Sequence, residues 1–124
     1  MSQEKQTHIL IIEEDAFQAE IYQKNFEMNG FKVSMASNGE KGLADIKKKK
    51  PDIILLDVLL PKLDGFAVLK AAKSDPTIKN IPIIFLTNLG QKDDVRRGLD
   101  EGAADYLIKT HFKKSAFANS KVGT

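Results

Sequence analysis

The 124-residue sequence contains no cysteine. That removes any disulfide framework and any thiolate metal site, and it is compatible with a reducing compartment. Long apolar runs are missing too, and nothing approaches the ~20 consecutive apolar residues of a membrane span. The opening stretch "MSQEKQTH" is polar, without the apolar core of a signal peptide, so a cytoplasmic location is expected. The two signs of charge nearly balance, 19 Lys and Arg against 17 Asp and Glu. A formal net charge of +2, with lysines scattered along the chain, gives no basis for direct nucleic-acid binding. The one basic run, "IKKKK" (Ile46 to Lys50), falls where a helix is expected to end, and cations suit that end of the helix dipole. No Gly-rich turn follows the first apolar run, which argues against a dinucleotide site. No segment repeats.

What is present suits one domain over residues 1–124, with residues 1–7 as a polar tail and 111–124 as a weak last helix. Short apolar runs alternate with amphipathic stretches. "HILII" (His8 to Ile12) reads as a buried strand. "AFQAEIYQKNFEMNG" follows as a helix, with Phe17, Ile21 and Met28 near one stripe, Tyr22 and Phe26 beside it, and Asn29-Gly30 as its stop. "FKVSMA" alternates like a strand nearer an edge. "NGEKGLADIKKKK" is a second helix, broken by Pro51. "DIILLD" is the third strand, and Asp64 caps the helix "GFAVLKAAKSD", which buries Phe66, Leu69 and Ala72. "IPIIFLT" is a fourth strand. "QKDDVRRGLDEG" is a helix with Val95 and Leu99 inward, and "ADYLIK" is the fifth strand. Strands alternating with helices at this spacing imply an α/β, flavodoxin-like, doubly wound parallel sheet. Its five strands take the order 2-1-3-4-5, with helices on both faces.

In that order, sites form at the carboxyl ends of the first and third strands, beside the topological switch point. The residues at those ends carry chemistry. Asp57 closes the apolar run Ile53, Ile54, Leu55, Leu56, where an ionised carboxylate costs several kcal/mol unless partners are supplied. Alone, it reads either as a satisfied structural acid or as a reactive group. Glu13, Glu14 and Asp15 end strand one, Thr87 ends strand four and Lys109 ends strand five. Each has an ordinary reading: Asp15 as a helix cap, Thr87 as a turn residue, Lys109 as a solvated strand end. Together they place three or four acids, a hydroxyl and an ammonium on one sheet edge. Clustered carboxylates repel and call for a cation. A hard divalent ion with oxygen ligands fits, and Mg²⁺ suits a site offering few protein ligands. An aspartate so placed can act as a nucleophile toward a phosphoryl group, with the metal and lysine stabilising charge on the transferring oxygens.

Over nearly its whole length the chain resembles the receiver domain of bacterial two-component response regulators. The matching pieces are "ILIIEED", "PDIILLDVLLPKLDG", "IPIIFLT" and "GAADYLIK", in family order and spacing. The resemblance implies that Asp57 accepts a phosphoryl group from a sensor histidine kinase, a phosphotransfer protein or a small phosphodonor. It implies Mg²⁺ held by Glu13, Glu14, Asp57 and the Leu59 carbonyl, with Thr87 as the switch hydroxyl and Tyr106 as the aromatic that turns on activation. A downstream protein would then be met through the fourth helix, fifth strand and last helix, and phosphorylation-linked homodimerisation is a further expectation. The protein would be a switch rather than a turnover enzyme.

The chain departs from the family pattern in four places. Glu14 stands where relatives usually carry aspartate, one methylene shorter, and Mg²⁺ tolerates little distortion from octahedral geometry. Thr110 stands where relatives carry proline after the lysine, so a trans Lys109–Thr110 peptide is expected. The last helix has few apolar positions, Phe112, Ala116, Phe117 and Val122. Asn88 is bulkier than the usual small residue after Thr87, and Leu59 and Leu60 put apolar bulk beside Asp57, where they would hinder an attacking water. The stretch to Thr124 leaves no residues within it for a DNA-binding or catalytic output domain. Two alternatives follow: a phosphate-independent binding module of the same fold, and a Mg²⁺-dependent phosphohydrolase with Asp57 as nucleophile. The second lacks the further aspartate such enzymes carry two residues on, where this chain has Leu59.

Overall fold

The computed structural model describes residues 6–88 and 91–109. The expected last helix (111–124) and the Lys109–Thr110 peptide lie outside the described residues. Among the described residues nine elements alternate: β1 (His8–Ile12), α1 (Ala16–Met28), β2 (Lys32–Ala36), α2 (Gly39–Lys49), β3 (Ile53–Asp57), α3 (Gly65–Ser74), β4 (Ile83–Thr87), α4 (Lys92–Asp100) and β5 (Asp105–Ile108). All strand pairs are parallel, and the sheet order is β2-β1-β3-β4-β5, as the alternation requires.

Successive strand residues point to opposite faces, so each apolar run feeds two cores. Leu10, Ile12, Ile54, Leu56, Ile83 and Phe85 face α2 and α3, where Ile46, Phe66, Leu69 and Ala72 meet them. Ile9, Ile11, Leu55 and Leu86 face the other way, toward Tyr22 and Phe26 of α1. This two-sided burial is why β1, β3 and β4 read as unbroken apolar runs. The edge strand β2 is only partly covered, with Ala36 its one buried residue.

The helices begin where their sequences say they should. Asp15 accepts from the Phe17 and Gln18 amides, Asn38 from Lys41, and Asp64 from Ala67. At the end of α2, Lys50 takes a left-handed conformation (φ 46°) just before Pro51, and Lys47, Lys48 and Lys49 fill the last turn.

Two core expectations fail. Met28 is 84% exposed, because it is the last residue of α1 and the chain turns away at Asn29 and Gly30; Phe31 packs edge-on against Phe26 instead. Leu99 is 42% exposed, whereas Gly98 is buried against the Phe85 ring. The inward line of α4 runs through half-buried Val95 and Gly98, one residue off the expected stripe. A glycine lets the helix lie directly on an aromatic, and that close approach sets its rotation.

Candidate functional site

The sheet delivers four side chains to its carboxyl edge from far apart in sequence. Asp57 ends β3, pairing in register with Leu86 of β4, and Val58 N–H donates to the Leu86 carbonyl just beyond it. Gly65 starts α3 beneath it, where a Cβ would strike the Asp57 carbonyl and the Val58 backbone. That close approach anchors the strand end. Glu13 extends β1 by one residue, its N–H donating to the Ala36 carbonyl of β2. Lys109 extends β5 likewise, its N–H donating to the Thr87 carbonyl at 2.6 Å.

At the centre is a lysine between two carboxylates. Lys109 Nζ donates to Asp57 Oδ2 at 2.8 Å and lies 2.9 Å from Glu13 Oε1. The Glu13 contact is an ion pair off the hydrogen-bond direction, so Oε1 is matched by charge yet accepts no hydrogen bond. The other Glu13 oxygen accepts from the Asp15 amide at 3.0 Å, so the turn into α1 orients this carboxylate. Asp57 Oδ1 accepts from the Leu59 amide at 3.1 Å. Asp57 and Glu13 are both buried.

Burial pushes the Asp57 carboxyl up to about 6. The Lys109 hydrogen bond pulls the other way, and the nearby Glu13 charge adds to the rise. Burial works against the Lys109 charge, but the Asp57 hydrogen bond and the charges of Asp57 and Glu13 outweigh it and hold the ammonium above the usual lysine range. One cation serving two buried anions leaves the trio short of positive charge. An added cation or the loss of a negative charge would relieve it.

Asp57, Glu13 and Lys109 open into a cleft of about 410 Å³ that Glu14, Leu59 and Asn88 also line. Glu14 is exposed at its rim, and Leu59, 56% exposed, stands at its mouth. Among the described residues no three acidic or histidine side chains gather closely enough to form a metal cluster. The donor set suits a hard cation that keeps much of its water: two buried carboxylates short of positive charge, a third at the rim and nearby backbone carbonyls.

Thr87 and Tyr106 belong to a second, largely apolar cleft of about 220 Å³, lined also by Asn88, Gln91, Val95 and Ile108. The register places Ile108 opposite Thr87 and Tyr106 opposite Phe85, so Tyr106 and Thr87 share one sheet face. Asn88 lines both clefts. The Thr87 hydroxyl donates to Gln91 Oε1 at 3.1 Å, and the Asn88 amide donates to the same oxygen at 2.9 Å. The sequence gives no sign of Gln91, which reads as an ordinary polar residue before a helix. Asp15 was legible as a cap but not as the group that orients Glu13.

The structure is thus a doubly wound α/β domain whose switch-point edge carries an acidic cleft closed by a lysine. The chain belongs to the response regulator receiver domain family, whose profile matches residues 9–118. Over 101 residues it is 44% identical to the DNA-binding dual master transcriptional regulator RpaA of Synechocystis, covering 82% of this chain and 42% of that protein. The chain therefore spans less than half the length of this relative. It also superposes on the signal receiver domain of a signal transduction histidine kinase from Syntrophus aciditrophicus, with a TM-score of 0.76 and 34% identity over 92% of this chain and 86% of that one. The Mn(2+)-bound form of response regulator Rcp1 matches with a TM-score of 0.77 and 26% identity, over 94% of this chain and 90% of that one.

Proposed function

We propose that this receiver domain accepts a phosphoryl group on Asp57 and uses it to switch a protein-binding surface. The observation that carries the reading is the Lys109 ammonium held 2.8 Å from Asp57 and 2.9 Å from Glu13. An Asp57 oxygen attacks the phosphorus of a phosphohistidine on a sensor kinase or phosphotransfer protein, or of a small phosphodonor. An O–P bond forms as the donor's bond to phosphorus breaks, and the leaving group departs with the electron pair. Lys109 balances charge on the transferring oxygens, and the Leu59 amide holds the carboxylate at the angle of attack. Glu13, Glu14, Asp57 and the Leu59 carbonyl are the groups that would hold Mg²⁺, which when bound neutralises charge on the phosphoryl oxygens. Leu59 at the cleft mouth slows water's approach to the acyl phosphate. Thr87 and Tyr106 read the new charge and pass it to the face formed by α4 and β5. That face binds a downstream protein or a second copy, and the setting is cytoplasmic.

A phosphate-independent module is the second reading, favoured by the exposed position of Glu14. One experiment separates the two. Incubation with Mg²⁺ and acetyl phosphate should add a single phosphoryl group by intact mass, absent in Asp57→Asn. An unmodified wild-type mass would favour the second reading.

A further inference from the structure

The Thr87 hydroxyl has one proton, and the structure commits it to Gln91. Its donation to Gln91 Oε1 spans 3.1 Å, against 3.4 Å to the Asn88 carbonyl. The same Gln91 oxygen takes the Asn88 amide at 2.9 Å, so one carboxamide ties down two consecutive groups at the end of β4. Gln91 stands at the N-cap of α4 yet makes no side-chain cap bond to that helix. Its hydrogen bonding is directed back to the strand end, where Asn88 separates the acidic cleft from the apolar one. Thr87 is almost fully buried, so no bulk water competes for its proton.

We propose that Gln91 is a positioning residue: it holds the Thr87 hydroxyl toward α4 in the resting protein and must release it when Asp57 is phosphorylated. This rests on the reading of Asp57 as phosphoryl acceptor. An anionic phosphoryl oxygen is a stronger acceptor than a neutral carboxamide, so the hydroxyl transfers to it once it is present. Gln91 keeps the Asn88 amide and loses the hydroxyl, so one of its two side-chain ties between the strand end and the start of α4 is broken. The latch therefore sets the threshold of the switch and couples the buried site to the first turn of α4. Gln91 touches neither the acceptor nor its donor.

The test is a titration of the Mg²⁺-loaded protein with beryllofluoride, a phosphoryl mimic, followed through backbone amide NMR shifts that include Asn88. Losing one neutral hydrogen bond from the resting state should tighten beryllofluoride binding roughly threefold to tenfold in Gln91→Ala. Gln91→Glu should weaken it, since a carboxylate grips the hydroxyl harder and repels the incoming anion. Damage to the fold would weaken both variants alike. In a Thr87→Ala background, Gln91→Ala should have no further effect. The latch is overturned if Gln91→Ala binds no more tightly than wild type, or if its gain survives in Thr87→Ala. A wild-type protein that ignores beryllofluoride would overturn the acceptor reading and the latch with it, whereas unchanged affinity in a binding-competent Gln91→Ala overturns the latch alone.

Discussion

Lys109 and Asp57 lie 52 residues apart in sequence and 2.8 Å apart in the fold. Lys109 simultaneously serves Glu13 from β1, so a single ammonium joins the ends of three strands. Lys109→Met should therefore weaken both stability and chemistry. Breaking a buried ion pair costs ~3–5 kcal/mol, and proton uptake by the freed Asp57 should reduce this near pH 8. The deficit should shrink further toward pH 5, as Asp57 protonates. Urea denaturation at the two pH values measures it. Phosphorylation by acetyl phosphate should slow by about 100-fold, the scale for losing one charge-stabilising donor.

Asp57→Asn should stabilise the metal-free protein. With its carboxyl pushed up to about 6 from 3.8, ionised Asp57 opposes folding by up to about 3 kcal/mol above that range. Between the two values the native state binds more protons than the unfolded chain, so wild-type stability rises as pH falls through about 6. In EDTA, Asp57→Asn should melt a few degrees higher than wild type at pH 8, and the gap should fall to roughly half by about pH 5 and close near the unfolded value of 3.8. A constant gap, or a less stable variant at pH 8, would contradict the assigned strain.

Glu14→Asp should tighten Mg²⁺ binding severalfold. Glu14 is exposed at the rim of the cleft, and its extra methylene leaves the carboxylate poorly placed for a small octahedral ion. A thermal-shift titration with MgCl₂ reads the midpoint directly. If the midpoint does not move, Glu14 is not a ligand.

Gly98→Ala should destabilise despite alanine's better helix propensity. A Cβ there would collide with the Phe85 ring, which Phe66 fixes edge-on at 5.3 Å while the Arg97 guanidinium stacks 3.9 Å over Phe66. Overpacking costs ~1–3 kcal/mol against a propensity gain of about 1 kcal/mol, so a net loss of about 1 kcal/mol is expected in chemical denaturation. Amide shifts along α4 should report its displacement from β4.

The sequence by itself determined the class of fold and the edge where chemistry collects. Unbroken apolar runs at β1, β3 and β4, too short for helices and bounded by breakers, read as strands covered on both faces, and the caps Asp15, Asn38 and Asp64 act through neighbours two or three residues away. Those signals are local, so they survive without coordinates. Alternation with helices then brought Glu13, Asp57, Thr87 and Lys109 to one side. Tertiary structure alone decided what those groups do with one another. It sank Gly98 rather than Leu99 against the core, because helix rotation depends on the facing surface. It set Lys109 between two carboxylates and left Glu14 at the rim. It also tied Thr87 to Gln91, since a hydroxyl takes whichever acceptor the packed neighbours present, and that choice is made across the strand-to-helix turn rather than along the chain.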